Sequence, residues 1–390
     1  MKLLALETSC DETALAVFDF HSDRTFTILS EQLNSQIDIH KEYGGVYPAL
    51  AKREHTKNVY PLFIAALDES GLLIKRNKQI DMSDELEAQL QATLDRDPDN
   101  FELLKIFYTT YEIPNIDAIA VTYGPGLEMA LWTGFNFARA LSLLFNVELV
   151  PTNHMEGHIY ASLVTQDQSG IFTIQDPKFP NLNLLISGGH TELVIANAEH
   201  DYTKIGHTLD DAVGEAYDKS ARLIGIPYPG GPEVSKLADL FRNTKATTEL
   251  SLPRPMLHTK DYNFSFSGLK TAVLNIVDSQ KEITDNFKQE LAFELEESIA
   301  EVLLKKTKRA IEEYGVQSLV IGGGVSANNH VRKKFTELCE QEHITLFLSD
   351  KKYTGDNAVM IGIAGYRRLV QKKHDPHVGR VLGRLSLDSD

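Results

Sequence analysis

Short runs of apolar residues, each closed by a polar or glycine-rich turn, recur along the chain. Residues 3–6 and 14–18 are two such runs, and the polar stretch 7–13 separates them. Residues 182–195, near the middle of the chain, repeat this layout. Short apolar runs bounded by turn residues are typical of buried strands. The sequence therefore predicts two strand–turn–strand units.

Other apolar runs lead into helices. Residues 116–122 and 318–321 have the composition of buried strands, and a glycine-rich turn follows each of them. The predicted helices cover residues 49–67, 130–144, 209–219 and 358–369. Alternation of strands and helices is typical of the α/β class, which we therefore expect for this chain.

The segment 72–114 has a different composition. It is prone to form helix, is interrupted at Pro98 and is rich in acidic side chains. These are Asp81, Asp84, Glu85, Glu87, Asp95, Asp97, Asp99 and Glu102. Because runs of charge usually lie on a solvated surface, the sequence predicts an acidic insertion on the outside of the protein.

Composition narrows the class of protein. The chain has 390 residues, 42% of them hydrophobic, which is ample for two or three domains with their own cores. The only cysteines, Cys10 and Cys339, leave no disulfide framework and favour the reducing cytoplasm. Glu7 interrupts the first apolar run, which is too short for a signal peptide or membrane span, so we expect no membrane association. The formal net charge of −16 argues against a general nucleic-acid-binding protein.

The clearest candidate chemistry is a pair of histidines, His154 and His158. Four residues make about one helical turn, so both imidazoles lie on one face and can clamp a metal ion. A pair of half-buried core histidines is the competing interpretation. The H-E-x-x-H pattern of zinc proteases does not fit, because Glu156 lies roughly 200° around the helix from the first histidine. Asp356 is the candidate third ligand, and a helix N-cap is its ordinary alternative role.

Polar and glycine-rich loops supply candidate phosphate-binding groups. The loop 7–13 offers hydroxyls and acids that can hold a phosphate and a cation, although an ordinary polar hairpin has the same composition. Residues 187–191 and 322–329 bring glycines to the ends of predicted strands, where a phosphate can approach the backbone. A lone glycine run is weak evidence for a nucleotide site.

Seven motifs in order along the chain carry a resemblance to a known family. They are ETSCDET at 7–13, NHMEGH at 153–158, SGGHT at 187–191, DDAVGEAYDK at 210–219, FSGLK at 266–270, GGVSAN at 323–328 and TGDN at 354–357. Together they resemble the bacterial TsaD proteins, which are tRNA threonylcarbamoyladenosine transferases. The resemblance implies the α/β sugar-kinase/Hsp70/actin-like (ASKHA) fold, with two duplicated lobes around a nucleotide cleft.

The resemblance also implies a domain organisation. We expect an N-terminal α/β lobe over 1–150 that carries the acidic insertion 72–114. A C-terminal α/β lobe over 151–365 would hold the metal and nucleotide sites. The helix and tail 366–390 would pack back on the first lobe.

Residue roles follow from the same resemblance. His154, His158 and Asp356 correspond to the ligands of one divalent transition metal, Fe²⁺ first and Zn²⁺ second, with Mg²⁺ as an optional companion of the nucleotide. The expected substrate-binding residues are Leu185, Ile186, Ser187, Gly188, Gly189, Asp218, Gly231 and Asn328. The expected catalytic residues are Asp11, Ser187, Gly188 and Gly189.

The implied reaction moves a threonylcarbamoyl group from threonylcarbamoyl-adenylate to N6 of adenosine 37 in tRNAs that read codons beginning with A, and releases AMP. A TsaB-like paralogue and a TsaE-like ATPase are the expected partners besides tRNA. A metalloprotease and an ATP-binding protein of the same fold are the alternatives. The position of Glu156 argues against the protease, and the second alternative has no need of the histidine pair or Asp356.

Overall fold

The computed structural model describes residues 1–375 and 378–389. Across these residues the chain forms twelve strands and twelve α-helices. The strands are β1 (Lys2–Glu7), β2 (Glu12–Phe20), β3 (Thr25–Ser35), β4 (Ala118–Gly124), β5 (Glu148–Asn153), β6 (Val164–Gln166), β7 (Phe172–Ile174), β8 (Asn181–Ile186), β9 (Thr191–Ala198), β10 (Asp201–His207), β11 (Ser318–Gly322) and β12 (Thr345–Leu348). The helices are α1 (Ile37–His40), α2 (Pro48–Glu69), α3 (Asp84–Thr93), α4 (Pro98–Thr110), α5 (Glu128–Phe145), α6 (His154–Ser162), α7 (Val213–Leu223), α8 (Gly231–Thr244), α9 (Ser267–Asp278), α10 (Asp285–Tyr314), α11 (Asn329–Glu342) and α12 (Ala358–Gln371). In the part of the chain that the structure describes, no helix is long and apolar enough to cross a lipid bilayer.

The strands form two sheets of related topology. One sheet has the order β5-β4-β1-β2-β3-β7-β6, and the other has the order β10-β9-β8-β11-β12. In the first sheet β4 pairs in parallel with β1, and β5 with β4. In the second sheet β11 pairs in parallel with β8, and β12 with β11. Each sheet therefore contains three consecutive antiparallel strands, β1–β3 or β8–β10, and two parallel ones, which is the duplicated α/β architecture that the resemblance implies. In the first sheet β7 and β6 add two further antiparallel strands beside β3.

Central strands are covered on both faces, as their continuous apolar sequences predict. Every residue of β4 and of β8 is buried. Helix α12 lies directly on the first sheet, because two glycines on its inner face leave room for close contact. A Cβ at Gly362 would lie 2.2 Å from the ring of Phe18, and a Cβ at Gly365 would lie 2.5 Å from Cβ of Ala120.

The chain divides into two compact units. Unit 1 comprises Met1–Asp38, Val46–Gln175 and Asp356–Asp390, and unit 2 comprises Ile39–Gly45 and Asp176–Gly355. The bounds of these units differ from the predicted domain boundaries at residues 150 and 365. The reason is that β5 continues directly into α6, while α12 packs against both of these elements. All three candidate metal ligands therefore belong to unit 1 rather than to a lobe that begins at residue 151.

The segment 72–114 contributes to the core of unit 1. The prediction that the whole segment is a solvated surface insertion is therefore wrong for one face of its helices. Leu90 in α3 and Leu104 and Phe107 in α4 are completely buried in the main hydrophobic cluster of this unit. Their spacing places them on the inner faces of the two helices. Acidic residues such as Glu85 and Glu102 occupy the exposed faces. The charged residues between these apolar positions make their helical spacing difficult to detect in the sequence.

Candidate metal centre and nucleotide pocket

Helix α6 begins at the end of β5 and carries both histidines. Asn153 caps the helix, since its Oδ1 accepts hydrogen bonds from the N–H groups of Met155 at 2.9 Å and Glu156 at 3.4 Å. The rings of His154 and His158 are one turn apart, with centroids separated by 4.8 Å. Both side chains are almost completely buried. The imidazoles therefore share one helix face, as their spacing predicts.

Asp356 joins the two histidines from the loop before α12. Its Oδ1 lies 3.3 Å from Nε2 of His154 and 3.3 Å from Nε2 of His158. Asn357, rather than Asp356, caps α12, because its Oδ1 accepts a hydrogen bond from the N–H of Met360 at 2.9 Å. The three candidate ligand atoms lie within 4.8 Å of one another, and the group can hold a metal ion.

The donor set fits a metal ion. Two imidazole nitrogens and one carboxylate oxygen are common ligands of iron and zinc. Both ring nitrogens of His158 are buried and, within the described residues, have no hydrogen-bond partner, although Nε2 approaches Asp356. Such buried polar atoms are costly unless a ligand takes the lone pair.

The pKa values of the two histidines shift in opposite directions. Burial lowers the pKa of His158. Burial also lowers the pKa of His154, but the carboxylates of Asp356 and Glu7 outweigh it and hold this pKa well above its usual value. Burial raises the pKa of Asp356, yet the positive charge of His154 keeps it well below its usual range. The carboxylate of Asp356 is therefore ionised at neutral pH.

Glu156 does not take part in this group. Its carboxylate forms a buried ion pair with the guanidinium of Arg368 on α12. The general base of a zinc protease would have to face the ion. The pairing with Arg368 therefore agrees with the prediction that Glu156 points away from the two histidines. It argues against a protease.

Glu7 and Ser9, which the sequence assigned to the polar loop 7–13 but not to the histidine pair, also contact the group. Nδ1 of His154 lies 3.1 Å from Oε2 of Glu7 and 3.1 Å from Oγ of Ser9. Both residues belong to the motif at 7–13, but His154, which they contact, lies far from this motif in the sequence. The local signal that could have identified Glu7 is a charged residue at the end of an otherwise apolar strand.

Asp11 lies in the same loop, between β1 and β2. It is buried, and its Oδ2 has no hydrogen-bond partner within the described part of the chain. The loop is held in place by His55 of α2, whose Nε2 lies 3.0 Å from the carbonyl oxygen of Cys10. Asp11 is thus a fixed carboxylate with one oxygen available to a ligand.

Unit 2 contains a cavity of about 400 Å³. Of the predicted substrate residues, Gly188, Asp218, Gly231 and Asn328 line this cavity. Leu185 and Ile186 are completely buried in β8, so they support the loop that follows and do not line the cavity with their side chains. Lining residues outside the predicted substrate-binding set include Tyr217, which lies in the motif at 210–219, and Ser235, Lys236 and Asp239, which no sequence pattern indicated.

Hydrogen bonds fix the walls of this cavity. Oδ1 of Asp218 accepts from the N–H groups of Gly230 at 2.7 Å and Gly231 at 3.3 Å, and burial raises the pKa of this carboxyl. Oδ1 of Asn328 accepts from the first turn of α11 at 3.0 Å. The Nδ2 group of Asn328 donates to the buried carboxylate of Glu296 at 2.6 Å. Asp218 and Asn328 therefore shape the cavity as well as facing it.

The loop after β8 is open to a ligand. The N–H of Ser187 donates to the carbonyl oxygen of His190 at 2.9 Å, and the N–H of His190 donates to Oγ of Ser187 at 3.1 Å. Gly188 and Gly189 do not have positive φ angles, and a Cβ on either would meet no atom within 4 Å. Neither backbone conformation nor packing within the described chain requires glycine at these positions. The space above them can therefore receive a ligand close to the backbone.

Comparison with known proteins places the chain in a family. Residues 27–83 and 107–363 match the family described as TsaD: tRNA N6-adenosine threonylcarbamoyltransferase. The internal stretch between the two matched ranges falls on α3 and most of α4. A protein of that name from Thermosipho africanus is 39% identical over 94% of this chain and 94% of its own length. The namesake from Ralstonia pickettii is 40% identical over 95% of this chain and 92% of its own length.

A solved structure adds evidence on the fold alone. Full-length HypF in the phosphate- and nucleotide-bound form superposes with a TM-score of 0.53 at 10% identity, covering 95% of this chain and 46% of that one. The ASKHA fold class and the family predicted from the seven motifs are confirmed. The chain belongs to the TsaD family of tRNA N6-adenosine threonylcarbamoyltransferases, which are acyl-transferring enzymes.

Proposed function

We propose that this chain transfers the threonylcarbamoyl group of threonylcarbamoyl-adenylate to N6 of an adenosine in tRNA and releases AMP. The observation that carries the proposal is the buried group of His154, His158 and Asp356 in a chain of the TsaD family. The acyl group arrives activated as a mixed anhydride. The reaction therefore does not depend on a nucleophilic serine or cysteine of the protein.

We assign His154, His158 and Asp356 as ligands of one divalent transition metal, Fe²⁺ first and Zn²⁺ second. Mixed nitrogen and oxygen ligands suit both ions. When bound, such an ion acts as a Lewis acid toward a carbonyl oxygen. The protein keeps the ligands away from bulk water, since His154 and His158 are 4% and 1% exposed.

The adenylate is assigned to the cavity of unit 2. Its volume of about 400 Å³ is sufficient for a nucleotide-sized ligand. Gly231 and Asn328 are assigned to the adenosine, and Asp218 holds the glycine-rich loop beside it. The N–H groups of Gly188 and Gly189 are assigned as donors to oxygen atoms on which negative charge develops during transfer.

Asp11 is assigned a catalytic role, and its unpartnered Oδ2 supports a part in holding Mg²⁺. We further propose that a TsaB-like paralogue and a TsaE-like ATPase work with this chain in the cytoplasm. These partners would complete the tRNA-binding surface of a chain whose formal net charge is −16.

The experiment that tests this function is mass spectrometry of nucleosides from tRNA incubated with the protein, threonylcarbamoyl-adenylate and the two partners. The His154→Ala/His158→Ala variant should lose bound metal and form no modified adenosine. His21→Ala, a change at an exposed turn, is the matched control and should behave like wild type. Unmodified tRNA in every wild-type reaction would refute the transfer activity. Full metal content in the double variant would refute the ligand assignment.

A further inference from the structure

The carboxylate of Glu7 lies against the metal-ligand group on the side away from Asp356. Its Oε2 is 3.1 Å from Nδ1 of His154, whereas Nε2 of the same ring faces Asp356. We propose that Glu7 is a positioning residue, which fixes the orientation and tautomer of His154 so that Nε2 is offered to the ion. This inference rests on the metal site of the proposed function and extends it beyond the three ligands.

Glu7 is held rigidly at the end of β1. It is completely buried, and both of its oxygens have donors. The backbone N–H of Ser9 donates to Oε1, and the hydroxyl of Thr122 donates to Oε2 at 2.5 Å. A buried carboxylate is costly unless hydrogen bonds compensate for the loss of water. Donors from the β1–β2 loop, from β4 and from α6 therefore define one position for this group.

The hydrogen bonds of Glu7 make its carboxylate an acceptor toward His154. The N–H of Ser9 and the hydroxyl of Thr122 already donate to the two oxygens, so Oε2 is placed to accept a hydrogen bond from Nδ1, and Nε2 is the nitrogen offered to the ion. Ser9 Oγ lies at the same 3.1 Å from Nδ1, but a hydroxyl both donates and accepts and would permit either tautomer. A carboxylate behind a metal-ligating histidine also raises the basicity of the ring.

His158 has no equivalent support. Its Nε2 lies 3.3 Å from Oδ1 of Asp356, as that of His154 does, but its buried Nδ1 makes no hydrogen bond to any residue that the structure describes. The two histidines are therefore unequal, because Glu7 supports the Nδ1 side of His154 and no described residue does so for His158. Removal of Glu7 should weaken metal binding although all three ligands remain.

The test measures the Zn²⁺ affinity of the full chain by competition with a chelator, in the absence of substrate. Glu7→Gln should weaken binding by about 10–100-fold, which is the usual loss when the partner of a ligating histidine is changed. Ser9→Ala removes the other group at 3.1 Å from Nδ1 and should weaken binding by less than about threefold. Nitrogen-15 NMR of the Zn²⁺-loaded proteins should show Nε2 of His154 as the coordinating atom in wild type and Ser9→Ala, and a mixture in Glu7→Gln.

Wild-type affinity in Glu7→Gln, or a loss confined to Ser9→Ala, would overturn the role of Glu7 and leave the metal site standing. Wild-type protein that takes up no Zn²⁺ would instead overturn the metal site of the proposed function, and the inference with it. If Glu7→Gln does not fold, Thr122→Val removes one of the three donors to the carboxylate. That variant should lose a few-fold in affinity, and unchanged affinity with unchanged coordination would overturn the proposal.

Discussion

The inner face of α4 offers a direct test of what holds unit 1 together. Leu104 is completely buried in the cluster that α4 forms with α2 and α5, whereas Ile106, two positions later, is 55% exposed. Replacement of either residue by alanine removes the same number of carbon atoms from the same helix. The two variants Leu104→Ala and Ile106→Ala therefore differ chiefly in burial.

Burial sets the expected magnitude. Replacement of a buried leucine by alanine costs about 2.7–5.0 kcal/mol, and the cost is higher where the cavity cannot collapse. The cluster around Leu104 contains packed aromatic rings such as Phe63 and Phe107, whose centroids are 5.1 Å apart, and these limit relaxation. We expect a loss in the free energy of unfolding of about 3–4 kcal/mol for Leu104→Ala and less than about 1 kcal/mol for Ile106→Ala.

The fluorescence of Trp132 provides the assay. This residue is the only tryptophan of the chain and lies on α5, with its ring centroid 6.1 Å from that of Phe135, so its signal reports the unfolding of unit 1. With a urea dependence of about 2–3 kcal/mol/M, Leu104→Ala should lower the unfolding midpoint by about 1–2 M and Ile106→Ala by less than about 0.5 M. Equal midpoints for the two variants would refute the reasoning, because they would mean that α4 adds no core to unit 1.

Three further changes address the site and its surroundings. Asp356→Asn keeps the shape of the metal group but weakens its charge, so single-turnover transfer to tRNA should fall by about 100-fold or more while affinity for an adenine nucleotide changes little. Asn328→Ala should instead weaken the affinity for the adenine nucleotide more than it slows transfer. Normal transfer by Asp356→Asn protein that has lost its metal would show that the ion is structural. Burial raises the pKa of Glu297, but the hydrogen bond and charge of His330 and other neighbours outweigh burial and lower this pKa from 4.5 to about 2. The stability that this shift contributes is therefore present above pH 4.5 and is lost as the pH falls through 2. Glu297→Gln should reduce the acid-induced loss of stability, followed by far-ultraviolet circular dichroism, by about 1–2 kcal/mol, and parallel pH profiles would contradict this.

Elements whose apolar residues are continuous were the most predictable from the sequence. The predicted helices over 49–67 and 130–144 correspond to α2 and α5, and the two strand–turn–strand units correspond to β1–β2 and β8–β9. A strand covered on both faces needs apolar residues at nearly every position, so its signal is local. Helix α10 lies outside the predicted elements, although Leu291, Leu295 and Ile299 recur on its buried face. Charged residues between them obscure the helical period, as they do in α3 and α4.

The site was predictable only where its geometry is local. The shared face of His154 and His158 follows from helical spacing alone. The approach of Asp356 to both rings depends on how α12 packs beside α6, and the sequence indicated it only through a family resemblance. The contact between Glu7 and His154 spans 147 positions and depends on the register of β1 in its sheet. No periodic pattern contains that information.

The spacing of the metal ligands depends on the packing of α6 against α12. Gly157 lies between the two histidines in sequence, and a Cβ at this position would lie 3.0 Å from Cδ1 of Ile361 on α12. The ion pair of Glu156 with Arg368 joins the same two helices. Because Asp356 immediately precedes α12, any separation of the helices would lengthen the 3.3 Å distances from its Oδ1 to the two imidazoles. A small residue and a buried ion pair therefore determine whether the three ligands can meet at one ion, which explains why the motif at 153–158 contains more than its two histidines.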